Sequence, residues 1–170
     1  MIDPTVMRSK PTNPRVEVTF APTVFLVSVM RQFVSNFYAR VVGDGPSQML
    51  AMATHELLEN ALKYSSEDGA TIMIEVEPDT DVDRVRIRIQ NRAAPHHIPP
   101  LQQVMARMNE APDPMVHYVN LMRETSKRSE GSGLGLARLR AEAGMTLALE
   151  VEGNQVCIVA ECEVHKEKAA

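Results

Sequence analysis

The sequence predicts an α/β fold of the α+β kind, a two-layer sandwich. A mixed, mostly antiparallel sheet of about five strands carries helices on one face. Three observations predict it. Apolar and polar residues alternate over 15–20, 70–78, 82–91 and 145–164, the period of half-buried strands. Two long stretches, 23–42 and 46–64, repeat apolar residues at spacings of three and four, the period of helices. The strands then outnumber what so few helices could cover on both faces.

Bulk properties bound the function. A chain of 170 residues is long enough for one domain with a real core. Hydrophobic residues at 44% and charged residues at 24% are an ordinary globular composition. A net charge of −4 offers no basic excess to neutralise phosphates, which argues against a nucleic-acid partner. Only "ETSKRSEG" and "RLRAEAG" are locally basic. The apolar stretch "TVFLVSVMRQFV" is interrupted by Arg31 and is too short to cross a bilayer. Cys157 and Cys162, five apart on one strand, point to opposite faces, which argues against a disulfide. Two thiols and no signal peptide point to a reducing cytoplasm.

Each element follows in chain order. Residues 1–14 hold three prolines and little apolar content and read as a loose arm. A single domain is expected over 15–165, and a tail over 166–170. "RVEVTF" (15–20) is a strand. The next stretch has Phe25, Val29, Phe33 and Phe37 each four apart and reads as a helix. A second helix opens near Pro46 and Ser47, with Met49, Met52, Ala53, Leu57, Ala61 and Tyr64 on its apolar stripe. "SSEDG" (65–69) reads as the turn that closes it.

"ATIMIEVEP" and "VDRVRIRIQN" form an antiparallel hairpin. Ile72, Ile74, Val76, Val85, Ile87 and Ile89 face one way, and Arg84, Arg86 and Arg88 make the other face wet. "RAAPHHIPP" reads as irregular. "LQQVMARMNEA" and "PMVHYVNLMRETSKR" are two short helices, whose Met105, Met108, Met115 and Met122 read as packing for a mobile insert or equally as an adaptable partner surface. A glycine-rich loop then runs into a helix, and "MTLALEVEGNQVCIVAECEV" is a second hairpin with a Gly-Asn turn.

Two motifs carry chemistry. In "HELLENALKYSS" (55–66), Glu56 and Asn60 lie four apart on one helix face, with Lys63 close by. The plain reading is a solvated edge with a weak Glu59–Lys63 pair. In "GSGLGL" (131–136), three glycines at alternate positions precede a helix N-terminus, whose unpaired N–H groups can hold phosphate oxygens. The plain reading there is a hinge. His96 and His97 have no acidic or thiol partners at ligand spacing and read as loop residues rather than a metal site.

The two motifs in this order, with a hairpin and a helical insert between them, resemble the GHKL ATPase superfamily. "HELLENALKYSS" looks like its N-box and "GSGLGLA" like its second glycine box. The resemblance covers roughly residues 15–164 and implies a Bergerat-type ATP-binding fold. The opening "FAPTVFLVSVMRQFV", set directly before the N-box, is similar to the small anti-sigma-factor members, which are serine kinases. The resemblance implies Asn60 as the Mg²⁺ ligand and Glu56 as the general base acting on a hydroxyl. It implies Lys63 as a phosphate contact and Tyr64 as the aromatic near the adenine. Gly131, Ser132, Gly133, Leu134 and Gly135 would surround the triphosphate, and 98–130 would be the lid-like insert.

One box departs from the family. Asn91 stands where an adenine-reading Asp is expected, and Ala93 and Pro95 stand where two glycines belong. An Asn amide can both accept from and donate to adenine, but Ala93 and Pro95 crowd and stiffen the loop. The resemblance therefore implies an ATP- and Mg²⁺-dependent regulator of a protein partner, an antagonist or a sigma-factor-like protein, and relatives of this type form homodimers. The departure implies an alternative, a degenerate interaction module with weak or no turnover.

Overall fold

The computed structural model describes residues 13–21, 23–125 and 133–166, and the side chains of 66–68 lie outside that description. Most of the expected arm and tail, and the basic stretch before the glycine loop, therefore fall outside the described residues.

Alternation decides the sheet. In β2 (Ser65–Glu77) and β3 (Val82–Ala93), Ile72, Ile74, Val76, Val85, Ile87 and Ile89 are buried. Their neighbours point to the open face, where Arg84 pairs with Glu163, Arg86 with Glu161 and Arg88 with Glu150. β1 (Arg15–Phe20) lies along β2. β4 (Thr146–Glu152) and β5 (Gln155–His165) close the second hairpin, with Gly153 at φ 60 in its turn. The order is β1-β2-β3-β5-β4, and every neighbouring pair is antiparallel. The mixture that the sequence left open resolves to antiparallel pairing throughout. Cys157 and Cys162 are both free. Cys162 faces the core, where burial pushes its thiol up to about 11.

The helices cover the other face. α1 (Val24–Val42) forms where periodicity puts it, but it buries Val27, Met30, Val34 and Tyr38. The Tyr38 hydroxyl donates to the Ile74 carbonyl at 2.9 Å, which fixes that face inward. Its deprotonation is disfavoured by burial. The phenylalanine stripe turns outward, with Phe25 79% and Phe33 42% exposed. α2 (Asp44–Tyr64) starts two residues earlier than expected, with the Ser47 hydroxyl donating to the Asp44 carbonyl at 2.8 Å. Its Leu50, Ala53, Leu57, Leu58 and Ala61 are buried against the sheet and α1.

Two expectations are corrected here. "SSEDG" is not a turn. β2 begins at Ser65, which pairs with Ala93, and a register shift follows before Ala70 meets Asn91. "RAAPHHIPP" is not irregular either. Arg92 and Ala93 finish β3, Pro95–His97 make a 3₁₀ turn, and α3 (Ile98–Glu110) starts at once. Pro99 and Pro100 sit in its first turn, where a missing N–H costs no intrahelical bond.

α3 tucks Met105 and Met108 into the core, as a packing role requires. α4 (Pro114–Thr125) buries none of its residues fully, and its Met115 and Met122 stay exposed. α5 (Leu134–Glu142) returns beside α2, with Leu136, Ala137 and Leu139 in the core.

Candidate functional site

The second half of α2, the end of β3, α3 and the start of α5 meet in one cleft. It has an outer and an inner half, and they are built differently.

The outer half is an open cleft of about 500 Å³ lined by Glu56, Asn60, Lys63 and Tyr64 of α2 and by Gly133, Leu134 and Gly135. Asn60 donates its Nδ2 to the Glu56 carbonyl at 2.9 Å, which leaves the carboxamide oxygen as the acceptor it can offer a ligand. The Glu56 side chain is 15% exposed, and its Oε1 accepts from Arg138 Nη1 at 3.3 Å. The expected Glu59–Lys63 pair is absent. Glu59 meets His55 Nε2 at 3.2 Å, and the Lys63 ammonium lies 5.3 Å from the Tyr64 ring centroid.

Two glycines shape this half for different reasons. Gly133 caps α5 in the left-handed region at φ 63, and a Cβ there would run into Val104 of α3. Gly135 has an ordinary φ, but its Cβ would run into the Glu56 carboxylate. So Val104 of α3 leaves no room for a side chain at Gly133, and Glu56 leaves none at Gly135. The N-cap Gly133 supplies no side-chain cap to α5, whose first turn borders the cleft through Leu134 and Gly135. Gly131 and Ser132 lie outside the described residues.

The inner half is packed. Asn91, Tyr64 and Asn60 do converge, but around a void of only about 20 Å³ that Leu101 and His97 also line. A neighbouring space of about 50 Å³ lies under Pro100, Leu101 and Val104. The smaller void matches about one water. His97 sets its ring edge-on to Tyr64, with centroids 5.3 Å apart. Ala93 and Ile98 form a small cluster with Val156, against which Leu101 also packs.

The donors of the outer half suit phosphate oxygens and a hard divalent cation, which prefers oxygen ligands. The voids of the inner half are too small for a nucleotide base. The residues expected from the sequence thus come together, apart from the two outside the described residues. Arg138, His97, Leu101 and Val104 are additions. Arg138 and Glu142 are readable as an i,i+4 pair, but nothing in the sequence aims them at Glu56. Among the described residues, no three His, Cys, Asp or Glu gather as metal ligands, and no helix is long and apolar enough to cross a membrane.

Comparison with known proteins agrees with this geometry. No curated protein matches the chain. Among solved structures it is similar to a chain from the crystal structure of the SiaB-SiaC complex from Pseudomonas aeruginosa. That likeness has a TM-score of 0.62 at 12% identity and covers 88% of this chain and 89% of that one. At such identity it speaks for the fold alone. The catalytic domain of histidine kinase ThkA is matched over 88% of this chain and 96% of that one, at 14% identity and a TM-score of 0.39. The family model that matches residues 45–162 is that of the histidine kinase-, DNA gyrase B-, and HSP90-like ATPases. It spans the N-box helix, both cleft halves and the second hairpin, and the chain belongs to that family.

Proposed function

We propose that the chain is an Mg-ATP-binding regulatory protein of the anti-sigma-factor, serine-protein-kinase type, acting on a protein partner in cytoplasmic bacterial signalling. One observation carries the reading. Glu56 and Asn60, one helical turn apart, open together onto a cleft whose far wall is the glycine-bounded start of α5.

Each residue then has a task. Asn60 would hold Mg²⁺ through its carboxamide oxygen. The N–H groups at the start of α5 and the Lys63 ammonium would take phosphate oxygens. Tyr64 and Asn91 would meet the base. Bound Mg-ATP supplies the transferable phosphoryl group and the cation that neutralises it. Glu56 would take the proton from a serine or threonine hydroxyl of the partner.

A second reading has its own observation. The packed inner half favours an interaction module of this fold with weak or no turnover. The outward stripe of Phe25, Val29, Phe33 and Phe37 gives either protein an apolar face for a homodimer.

Calorimetric titration with a non-hydrolysable ATP analogue and Mg²⁺ tests the reading. Micromolar binding to the wild type, weakened at least tenfold in Asn60→Ala, is the expected result. No binding by the wild type at millimolar nucleotide would overturn it and leave the interaction module.

A further inference from the structure

Arg138 has no task in the account above, yet it touches the residue at its centre. Its Nη1 donates to Glu56 Oε1 at 3.3 Å, and its Nε donates to Glu142 Oε2 at 2.7 Å. One guanidinium therefore serves two carboxylates on two helices. Tyr118 of α4 lies near the same Glu142, and its hydroxyl is made less acidic first by burial and then by the Glu142 charge. The contacts run from Glu56 on α2 through Arg138 to Glu142 on α5, the helix on which α4 packs.

The place of this chain in the fold gives it weight. Glu56 is mostly buried, and Gly135 brings the α5 backbone against its carboxylate. Such a carboxylate needs a donor, and Arg138 supplies one. At the other end, α4 buries no residue fully, packs on α5, and turns the partly buried Tyr118 and Leu121 to the core. With no residue fully buried, its seating depends on partly buried side chains and on its packing against α5.

We infer that Arg138 is the positioning residue of the outer cleft, holding the Glu56 carboxylate by one oxygen and making the seating of α4 depend on the state of Glu56. The planar guanidinium is required, because it presents separate N–H groups to two acceptors at fixed angles, which an ammonium does not. A phosphate-bearing ligand entering beside Glu56 would compete for the same N–H groups. A guanidinium drawn toward that ligand would also shift its bond to Glu142, and occupation of the cleft would be felt through α5 at α4. The functional consequence rests on the reading of Glu56 as the general base; the coupling itself does not.

The experiment uses the free full-length chain, so nucleotide affinity does not enter it. Hydrogen exchange is followed at the amides of 114–125 in the wild type, Glu56→Gln, Arg138→Gln, Arg138→Lys and the Glu56→Gln/Arg138→Gln double variant. The amides of β3 serve as the internal control for global stability. We expect Glu56→Gln and Arg138→Gln each to speed exchange in α4 about two- to fivefold, the range of a half-exposed ion pair. The double variant should go no further, and Arg138→Lys should not restore protection. A merely structural i,i+4 staple within α5 would move α4 in Arg138→Gln but not in Glu56→Gln. Wild-type exchange in Glu56→Gln, or independent effects that multiply in the double variant, would overturn the inference. Failure of nucleotide binding would appear in calorimetry alone and would leave this comparison standing.

Discussion

The two halves of the cleft share α2, yet they follow opposite rules. The outer half brings charged and amide groups, Glu56, Glu59, Lys63 and Asn60, together with two glycines beside Tyr64 and Leu134, and it stays open at about 500 Å³. The inner half is filled by side chains, with Leu101, Val156 and Ile158 packed among Asn60, Tyr64, Asn91 and His97 so that only about 20 Å³ stays open. The difference teaches where affinity for a nucleotide would be decided. On the proposed reading, phosphate would meet groups that already line an open cleft, whereas a base would compete with packing in the inner half. Breaking one half while sparing the other is the way to test that division.

The largest effect is expected from Leu101→Ala. Leu101 lines both inner voids, so removing its side chain joins them. The residue is half-buried, which puts the cost near the low end of such truncations, about 2 kcal/mol. Urea denaturation measures it. If packing by α3 is what excludes a base, the same variant binds the ATP analogue more tightly than the wild type while its affinity for inorganic tripolyphosphate stays put. Equal affinity for the ATP analogue in both proteins would show that the halves are not divided by packing.

Gly133→Ala comes next and tests the boundary between the halves. A side chain at φ 63 is strained, and its Cβ meets Val104 of α3. The left-handed conformation alone costs about 1–2 kcal/mol. Val104 must then shift, so α3 and the glycine loop loosen together. The expected sign is a lower urea midpoint with faster hydrogen exchange in both α3 and the first turn of α5. Faster exchange confined to α5 would separate the loop from the inner half.

These contrasts also mark what the sequence could yield. The sheet was legible because Ile72, Ile74 and Val76 alternate with polar neighbours, and a period of two admits only one inward face. The inward face of α1 was not. Phe25, Val29, Phe33 and Phe37 recur as regularly as Val27, Met30, Val34 and Tyr38, and periodicity cannot choose between two apolar faces. The choice rests on the Tyr38 bond to Ile74, a partner 36 residues away. The start of α3 was hidden by prolines that break a helix interior but suit its first turn. At the site, Glu56 and Asn60 were legible because one helix turn brings them together. Arg138 was not, since it lies 82 residues beyond Glu56 in the chain and only the packing of α5 on α2 unites them. Nor was the closure of the inner half, which depends on how Leu101 and His97 fill space rather than on any motif.

Gly135→Ala should change stability least and chemistry most. Its Cβ would collide with the Glu56 carboxylate oxygen, the far end of a flexible side chain, and the Glu56 carboxylate carbon lies 3.2 Å from the same point. Glu56 can swing aside, and α5 gains a better helix former in place of glycine, worth up to about 1 kcal/mol in an exposed helix. The two effects oppose each other, so the urea midpoint should hold to within about 0.5 kcal/mol, the scatter of neutral substitutions. Yet the carboxylate leaves the position where Arg138 holds it and where it faces the cleft. In Gly135→Ala, binding of the ATP analogue should persist, because Asn60 and the α5 N–H groups remain. Phosphorylation of a partner, once one is found, should fall with Glu56. A variant that is stable, binds and still transfers at the wild-type rate would remove Glu56 from the chemistry and leave the outer half as a binding cleft only. One methyl group therefore separates what the outer half holds from what it does, and Leu101→Ala cannot do so, because it alters only what the cleft admits.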